Sequence, residues 1–275
     1  MGSMELVQPI RAVSEADSPA LRLFSLLEVI AGKERLTSLP ALAEETGLPK
    51  ATLHRMLQQL EAGGLLQRST DGRHFGLGSR LRQLSEQVLM NDVHQGARHA
   101  VLRQLVDDIG ESCNITALSG GEVIYLDRVE TPAPLRFYLH PGSRVPVHCS
   151  ASGKVFLAQM SPAQRRRLLA AAPLQPYTPS TLTDVEQLDQ QLQQVRRDGY
   201  ALDREEFLPG LVCVAVRVPP AAGGARALSN LCVALQAPVM RMNIDRALQC
   251  LPALQRAAQA LSRVEAPAPS SKARR

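Results

Sequence analysis

The stretch Leu36–Leu77, LTSLPALAEETGLPKATLHRMLQQLEAGGLLQRSTDGRHFGL, decides how the first third of this 275-residue chain folds. Between Pro49 and Glu61, Leu53, Met56, Leu57 and Leu60 recur at helical spacing and form one apolar stripe. At about 100° per residue, the opposite side carries Ala51, His54, Arg55 and Gln58, flanked by Lys50, Thr52 and Gln59. No acid interrupts that face before Glu61. A helix built this way suits a place beside phosphates, where cationic side chains displace counterions.

The residues on either side complete a motif. Leu39, Leu42 and Ala43 give a short apolar face on a helix with Pro40 in its first turn, where a missing N–H costs nothing. Gly47 can take the left-handed conformation that ends this helix, Leu48 can plug the angle, and Pro49 can begin the next. After Gly63-Gly64, an extended Leu65–Arg68, an Asp71-Gly72 turn and a returning His74–Leu77 read as a β-hairpin whose tip offers Arg68 and Arg73. Helix, glycine turn, helix and hairpin make a winged helix-turn-helix, and double-stranded DNA is the partner it predicts. The plainer alternative is two hairpins that merely pack, with Lys50 and Arg55 on a solvated face.

Length and 45% hydrophobic content allow two domains. A net charge of +5 and a pI of about 9.2 suit an anionic partner, although part of the excess is Lys272, Arg274 and Arg275, after a Pro- and Ser-containing stretch from Ala266. Five scattered cysteines, Cys113, Cys149, Cys213, Cys232 and Cys250, with no CxxC pair and no secretory segment, predict reduced thiols and a cytoplasmic location. No apolar run approaches the ~20 residues of a membrane span, so no membrane partner is expected.

Five segments are expected: a flexible arm (1–18), the winged domain (19–78), a linker helix (79–92), an α+β domain (93–264) and a disordered tail (265–275). Pro19–Ala31 should be a helix capped by Ser18, with Leu23, Phe24, Leu27 and Ile30 inward. The linker helix, about Gly78–Asn91, carries Leu81, Leu84, Val88 and Leu89 as a stripe suited to dimerisation. Then come a helix from Val93 to Ile109, strands Cys113–Leu118 and Glu122–Val129 about Ser119-Gly120-Gly121, and a third strand Leu135–Leu139. Val145–His148 leads into helices Lys154–Met160 and Pro162–Ala171; a loop precedes helix Val185–Asp198, capped by Gly199. Strands Tyr200–Leu202, Val212–Val218 and Leu228–Gln236, the last two joined through Gly223-Gly224, and one helix Asn243–Ser262 follow. Hairpins among helices predict a largely antiparallel sheet.

Taken in order, these residues resemble the IclR family of bacterial transcriptional regulators over about Pro19–Val264. The resemblance rests on Leu42-Ala43 and Gly47–Arg55, then Gly121–Asp127, Gly153-Lys154 with Leu157-Ala158, Arg197–Tyr200, Glu205-Glu206 and Gly210–Ala215. It implies a winged domain for operator DNA and a C-terminal, GAF-like domain for a small effector, in a dimer or dimer of dimers. It further implies an effector site lined by Ser150, Ala151, Ser152, Gly153, Asp203, Leu211, Cys213, Ala234 and Gln236. Ser152-Gly153 at a helix start could seat a carboxylate, or the serine could simply cap a core helix. Ala234 and Gln236 stand where the family often has small polar residues. Arg217, on the face of Cys213, replaces a small residue or proline; it needs an anionic partner, either Asp203 or Glu205 or the effector's acid group. The low aromatic content, 3%, favours a small organic acid over a stacked aromatic effector.

On this reading Arg55 and Gln58 face base edges, His54 and Thr52 bases or phosphates, and Lys50, Arg68 and Arg73 the backbone, with Ala51 and Gln59 alongside. No catalytic residue, metal or cofactor is expected. The phosphate-loop pattern fails, because His148 stands five residues before Gly153. Ser-x-x-Lys fails at Ala151. Cys149 or Cys213 could be a nucleophile with His148 as base, but the sequence supplies no third, orienting group; His148 and Cys149 could ligate a metal with Asp203, but two adjacent ligands are a weak signal. A small-molecule sensor acting on a protein partner, with the winged part used for dimerisation, is the alternative from another class.

Overall fold

Ser18 accepts a hydrogen bond from the Leu21 amide and opens helix α1 (Pro19–Ala31) in a computed structural model that describes residues 18–33, 35–90, 95–171, 174–220 and 230–266. The arm before Ser18, Val93, Gly223-Gly224 and the tail beyond Ala266 lie outside the described residues. The chain divides into two units, residues 1–89 and 90–275.

In the first unit, α1 is followed by β1 (Thr37–Ser38), α2 (Leu39–Thr46), α3 (Lys50–Ala62), β2 (Leu66–Arg68), β3 (His74–Leu77) and α4 (Ser79–Met90). Gly47, at φ 68, ends α2 and turns the chain into α3, with Leu48 buried in the angle. The stripe Leu53, Met56, Leu57 and Leu60 is buried against Leu26, Leu27, Ile30, Leu42 and Phe75. Burial of side chains this size stabilises by ~1.5–3 kcal/mol each, which is what holds a short α2 in helical form. The hairpin β2–β3 forms with the expected turn, and β1 adds to the other edge of β3, giving a three-stranded antiparallel sheet in the order β1-β3-β2. Phe24 is a correction: it is 59% exposed. The inward arc of α1 runs through Leu26, Val29 and Ile30, and Phe24 stands about 200° around the helix from Leu26.

The second unit contains α5 (Gln95–Ile109), β4 (Ser112–Ser119), β5 (Glu122–Val129), β6 (Arg144–Pro146), α6 (Ala151–Gln159), α7 (Pro162–Ala171), α8 (Val185–Asp198), β7 (Tyr200–Arg204), β8 (Leu211–Arg217), β9 (Leu231–Pro238), α9 (Ile244–Gln249) and α10 (Leu251–Val264). Its six described strands form one sheet in the order β6-β5-β4-β9-β8-β7, antiparallel at every described pairing. Gly120 and Gly121, both at positive φ, make the two-residue turn of β4–β5. Helices α5 and α10 pack on one sheet face, while α6 and α8 close over the other. A bulge in β5 pairs Thr116 with Tyr125 but Ile115 with Asp127. It turns Asp127 to the α5 side, where His99 Nδ1 lies 3.1 Å from its carboxylate.

Three expectations are corrected. Leu135–Leu139 is not a strand: the carbonyls of Phe137 and Leu139 accept from the Arg128 guanidinium instead of a ladder partner. The final helix is two, because Pro252 lies in the first turn of α10 and cannot donate the N–H a continuous helix needs. Helix α6 begins three residues before Lys154, because Ser150 caps it, accepting from Gly153 N at 3.3 Å and donating to Pro146 O at 2.6 Å.

Candidate functional site

The polar face of α3 stands clear of its own unit. Lys50, Ala51, His54, Arg55, Gln58 and Gln59 are exposed and Thr52 is half-buried. Among the described residues, the side chains of Lys50, His54, Arg55, Gln58 and Gln59 have no partner. The acid at the end of this face is neutralised: Arg68 Nε donates to both Glu61 oxygens at 2.8 and 2.9 Å. Arg68 also lies 4.8 Å above the Phe75 ring and donates to Gly72 O. It was expected at the hairpin tip, but it is engaged within its own unit. Arg73 is exposed at the tip, just after Gly72 at φ 69.

In the second unit a small buried cavity of about 20 Å³, room for about one water molecule, lies between the sheet and α6. Ligand sites are commonly ~300–1,000 Å³, so an effector bound here has to push the lining apart. Ser150, Ala151, Ser152, Asp203, Leu211, Cys213 and Ala234 all line it, as the sequence reading anticipated. Asn114, Thr116, Val123, Tyr125, Val145 and Phe207 line it too.

Three anticipated residues do not line the cavity. Gly153 serves packing: a Cβ there would sit 2.2 Å from Val147 O, so only glycine lets α6 approach that backbone. Gln236 lies directly behind the lining, its Oε1 accepting from Asn114 Nδ2 at 3.2 Å and Tyr125 OH at 3.4 Å. Arg217 is on the cavity side of β8, but at the far end of the strand, donating to Gln159 Oε1 at 3.1 Å rather than to Asp203 or Glu205.

The electrostatics centre on the turn after β7. Lys154, fully buried in α6, donates to Glu206 Oε1 at 2.6 Å. Asp203 Oδ1 accepts from the amides of Glu206 and Phe207 at 2.7 and 3.4 Å. Burial nevertheless outweighs these bonds and the nearby Lys154, raising the Asp203 pKa to about 7. Glu205 holds φ 60, a strained conformation for a residue with a side chain, and its own carboxylate accepts from Gly210 N at 2.8 Å. From the other side, Thr178 and Thr181 each donate at 2.6 Å to this turn, to Glu205 O and Glu206 O. Ala151 and Ser152, whose first-turn amides have no acceptor within the helix, line the cavity at the positive end of the α6 dipole.

His148 Nε2 lies 3.0 Å from Gln175 O, and burial lowers its pKa. Burial pushes the Cys149 thiol up to about 12. Among the described residues no three His, Cys, Asp or Glu side chains are grouped to hold a metal, and all five cysteines are free thiols. No described helix is long and apolar enough to cross a membrane.

The family model for the C-terminal domain of the bacterial transcriptional regulator IclR matches residues 88–263, and that for the IclR helix-turn-helix domain matches 19–70. The chain belongs to the IclR family of transcriptional regulators. It is similar to a probable transcriptional regulator, SauR, of Cupriavidus necator, 44% identical over 89% of this chain and 96% of that protein. It is also similar to the transcriptional repressor IclR of Escherichia coli, 32% identical over 82% of this chain and 81% of that one. Among solved structures it resembles the inducer-binding domain of a PobR double mutant from Acinetobacter in complex with 3-hydroxybenzoic acid. That likeness has a TM-score of 0.56 at 26% identity and covers 61% of this chain and 97% of that domain.

Several residues that carry the IclR resemblance sit where the backbone or a buried charge demands them. Gly47, Gly121, Gly199 and Gly210 have positive φ, and Glu205-Glu206 supplies the strained turn and the partner of Lys154. The sequence reading missed Asn114, Thr116 and Tyr125 on the cavity floor. Two polar residues alternate along CNITAL, which in sequence reads as a strand with one wet face; only the fold shows that the strand is buried on both.

Proposed function

We propose that this IclR-family chain is a repressor that binds a palindromic operator through α3 and is modulated by a small organic acid in the cavity of its second unit. In this reading residues 19–78 form the DNA-binding domain, 79–92 the linker and 93–264 the effector domain. The single observation that carries it is the α3 face: seven positions from Lys50 to Gln59 turned outward, without an acid. Its polar side chains, Lys50, His54, Arg55, Gln58 and Gln59, are unpaired among the described residues. Arg55 and Gln58 read base edges in the major groove, His54 and Thr52 contact bases or phosphates, and Lys50 and Arg73 hold the backbone.

An acid effector is supported by the first-turn residues Ala151 and Ser152 of α6 at the cavity wall and by the organic acid in the PobR relative. Asp203, with its pKa near 7, can hold a proton and donate to such an anion. Exposed Leu21 and Phe24 on α1 and Leu84 and Val88 on α4 support self-association of the first unit. A two-fold protein asks for two half-sites on one DNA face, and effector binding changes operator affinity by shifting the relative setting of the two DNA-binding domains. The repressor assignment follows the name of the E. coli relative.

The test is selection of genomic fragments by the purified protein at one stated salt concentration, repeated with Arg55→Ala. An enriched palindrome that the variant no longer selects is the expected result. Equal enrichment by both proteins, or none by either, sinks the α3 reading.

A further inference from the structure

The cavity floor contains polar atoms for which the fold provides no partner. Asn114 and Thr116 are 2% and 1% exposed and line the cavity, yet Asn114 Oδ1 and Thr116 Oγ1 have no hydrogen-bond partner. Gln236, also 2% exposed, has Nε2 unpartnered. Across β4–β9, Asn114 stands opposite Ala234 and Thr116 opposite Cys232, side chains too short to fill the place of a polar partner. Buried orphan polar atoms are rare in native proteins, and two on the cavity floor with a third directly behind them mark a place where the partner comes from outside the chain.

We propose that the effector carries, at the end away from its acid group, a neutral group that both donates and accepts hydrogen bonds, such as a hydroxyl or carboxamide, and that Asn114 and Thr116 select for it. This rests on reading the cavity as an organic-acid site. The Asn114–Gln236 bond uses one donor and one acceptor of the two amides, leaving one of each. Turning both amides over exchanges which residue offers which, and still leaves one donor and one acceptor. The Thr116 hydroxyl can serve either role.

The far end is neutral because the charges nearby are already matched. Lys154 is bonded to Glu206. Arg128, opposite Asn114 in β5, does not line the cavity; it donates to the Phe137 and Leu139 carbonyls and faces Glu130 at 3.7 Å. A methyl group in place of the effector's polar end would bury against these orphan atoms without satisfying them, and sites built to bond a polar group reject such analogues strongly.

Two isosteric pairs test this by calorimetric titration of the full-length protein: 3-hydroxypropionate against butyrate, and succinamate against 4-oxopentanoate. The polar member of each pair is expected to bind at least ~10-fold tighter, a ratio that corresponds to one lost buried hydrogen bond. Thr116→Val and Asn114→Leu should bring the ratio towards one. The melting temperature of ligand-free Thr116→Val should hold or rise, since an orphan hydroxyl has been removed. Equal binding within both pairs, an unchanged ratio in both variants, or a fall of several degrees for Thr116→Val would overturn the proposal while leaving the organic-acid reading intact. If none of the four acids binds, the organic-acid reading itself fails, and this inference with it.

Discussion

Lys154 is the largest fully buried side chain among the described residues, and its loss should be severe. Its ammonium lies 2.6 Å from Glu206 Oε1, with the two side chains 0% and 5% exposed, so neither charge has water to fall back on. In Lys154→Met the Glu206 carboxylate stays buried with one weak donor, Arg204 N at 3.4 Å from Oε1, while Oε2 has none even in the intact protein. Breaking a buried pair from one side costs about 3–5 kcal/mol. For a unit of this size each kcal/mol moves the melting temperature by ~2–4 °C, so a fall on the order of 10 °C is expected. Lys154 also stabilises the ionised form of Asp203, so the deficit should widen between pH 5.5 and pH 8. The double variant Lys154→Met/Glu206→Gln removes both charges and should recover to within ~1 kcal/mol of the parent, because the desolvation of the pair is relieved along with its attraction. The assay is available without engineering. All four tyrosines, Tyr125, Tyr138, Tyr177 and Tyr200, lie in the second unit, and the chain has no tryptophan, so thermal melts followed by tyrosine near-ultraviolet signals report on this unit alone. A fall of under about 2 °C for Lys154→Met, or a double variant no better than the worse single one, would refute the reasoning.

The raised pKa of Asp203 makes stability depend on pH in a defined direction. The folded state keeps this proton up to about pH 7 while the unfolded chain releases it near 3.8. Stability from this group is therefore present below pH 4 and lost as pH rises towards 7, by up to ~4 kcal/mol at 1.36 kcal/mol per unit. Asp203→Asn should flatten that slope in melts from pH 4 to 8, and an unchanged slope would contradict it. The same proton bears on ligand binding: affinity for an anionic acid should be level below pH 7 and fall above it, which titrations across that range would show. Gly153→Ala should disturb α6 and abolish effector binding, because its Cβ would meet Val147 O at 2.2 Å and Val147 Cα at 2.4 Å, both backbone; retained binding in a folded variant would count against this close approach. Leu84→Glu, at a residue 52% exposed, should leave the melt intact yet weaken self-association in sedimentation, and an unaltered mass would remove α4 from the interface.

Where the sequence was legible, the signal was local. Ser18, Gly47, Gly120-Gly121 and Gly199 fix helix ends and turns through their own backbone chemistry, and the structure places α1, α2, β5 and α8 between these signals. Where it misled, the cause lay elsewhere in the chain. Leu135–Leu139 alternates like a strand, but the Arg128 guanidinium takes its carbonyls. On α1, Leu23, Leu27 and Ile30 do pack inward, and only Phe24 was misplaced, because it is as apolar as the residues that face the core.

The cavity follows the same division. Its α6 wall and its β7–β9 side could be reached from Ser150, Asp203 and Cys213. Its β4 floor could not, because alternation of Asn114 and Thr116 with Cys113, Ile115 and Ala117 is the pattern of a strand with one wet face. In the fold that face is covered by α6, and covering it without matching the polar atoms is a cost no local rule explains. A polar alternation on a strand that topology buries is therefore better evidence of a ligand than the same alternation on an edge strand. Here it falls on β4, with β5 on one side and β9 on the other.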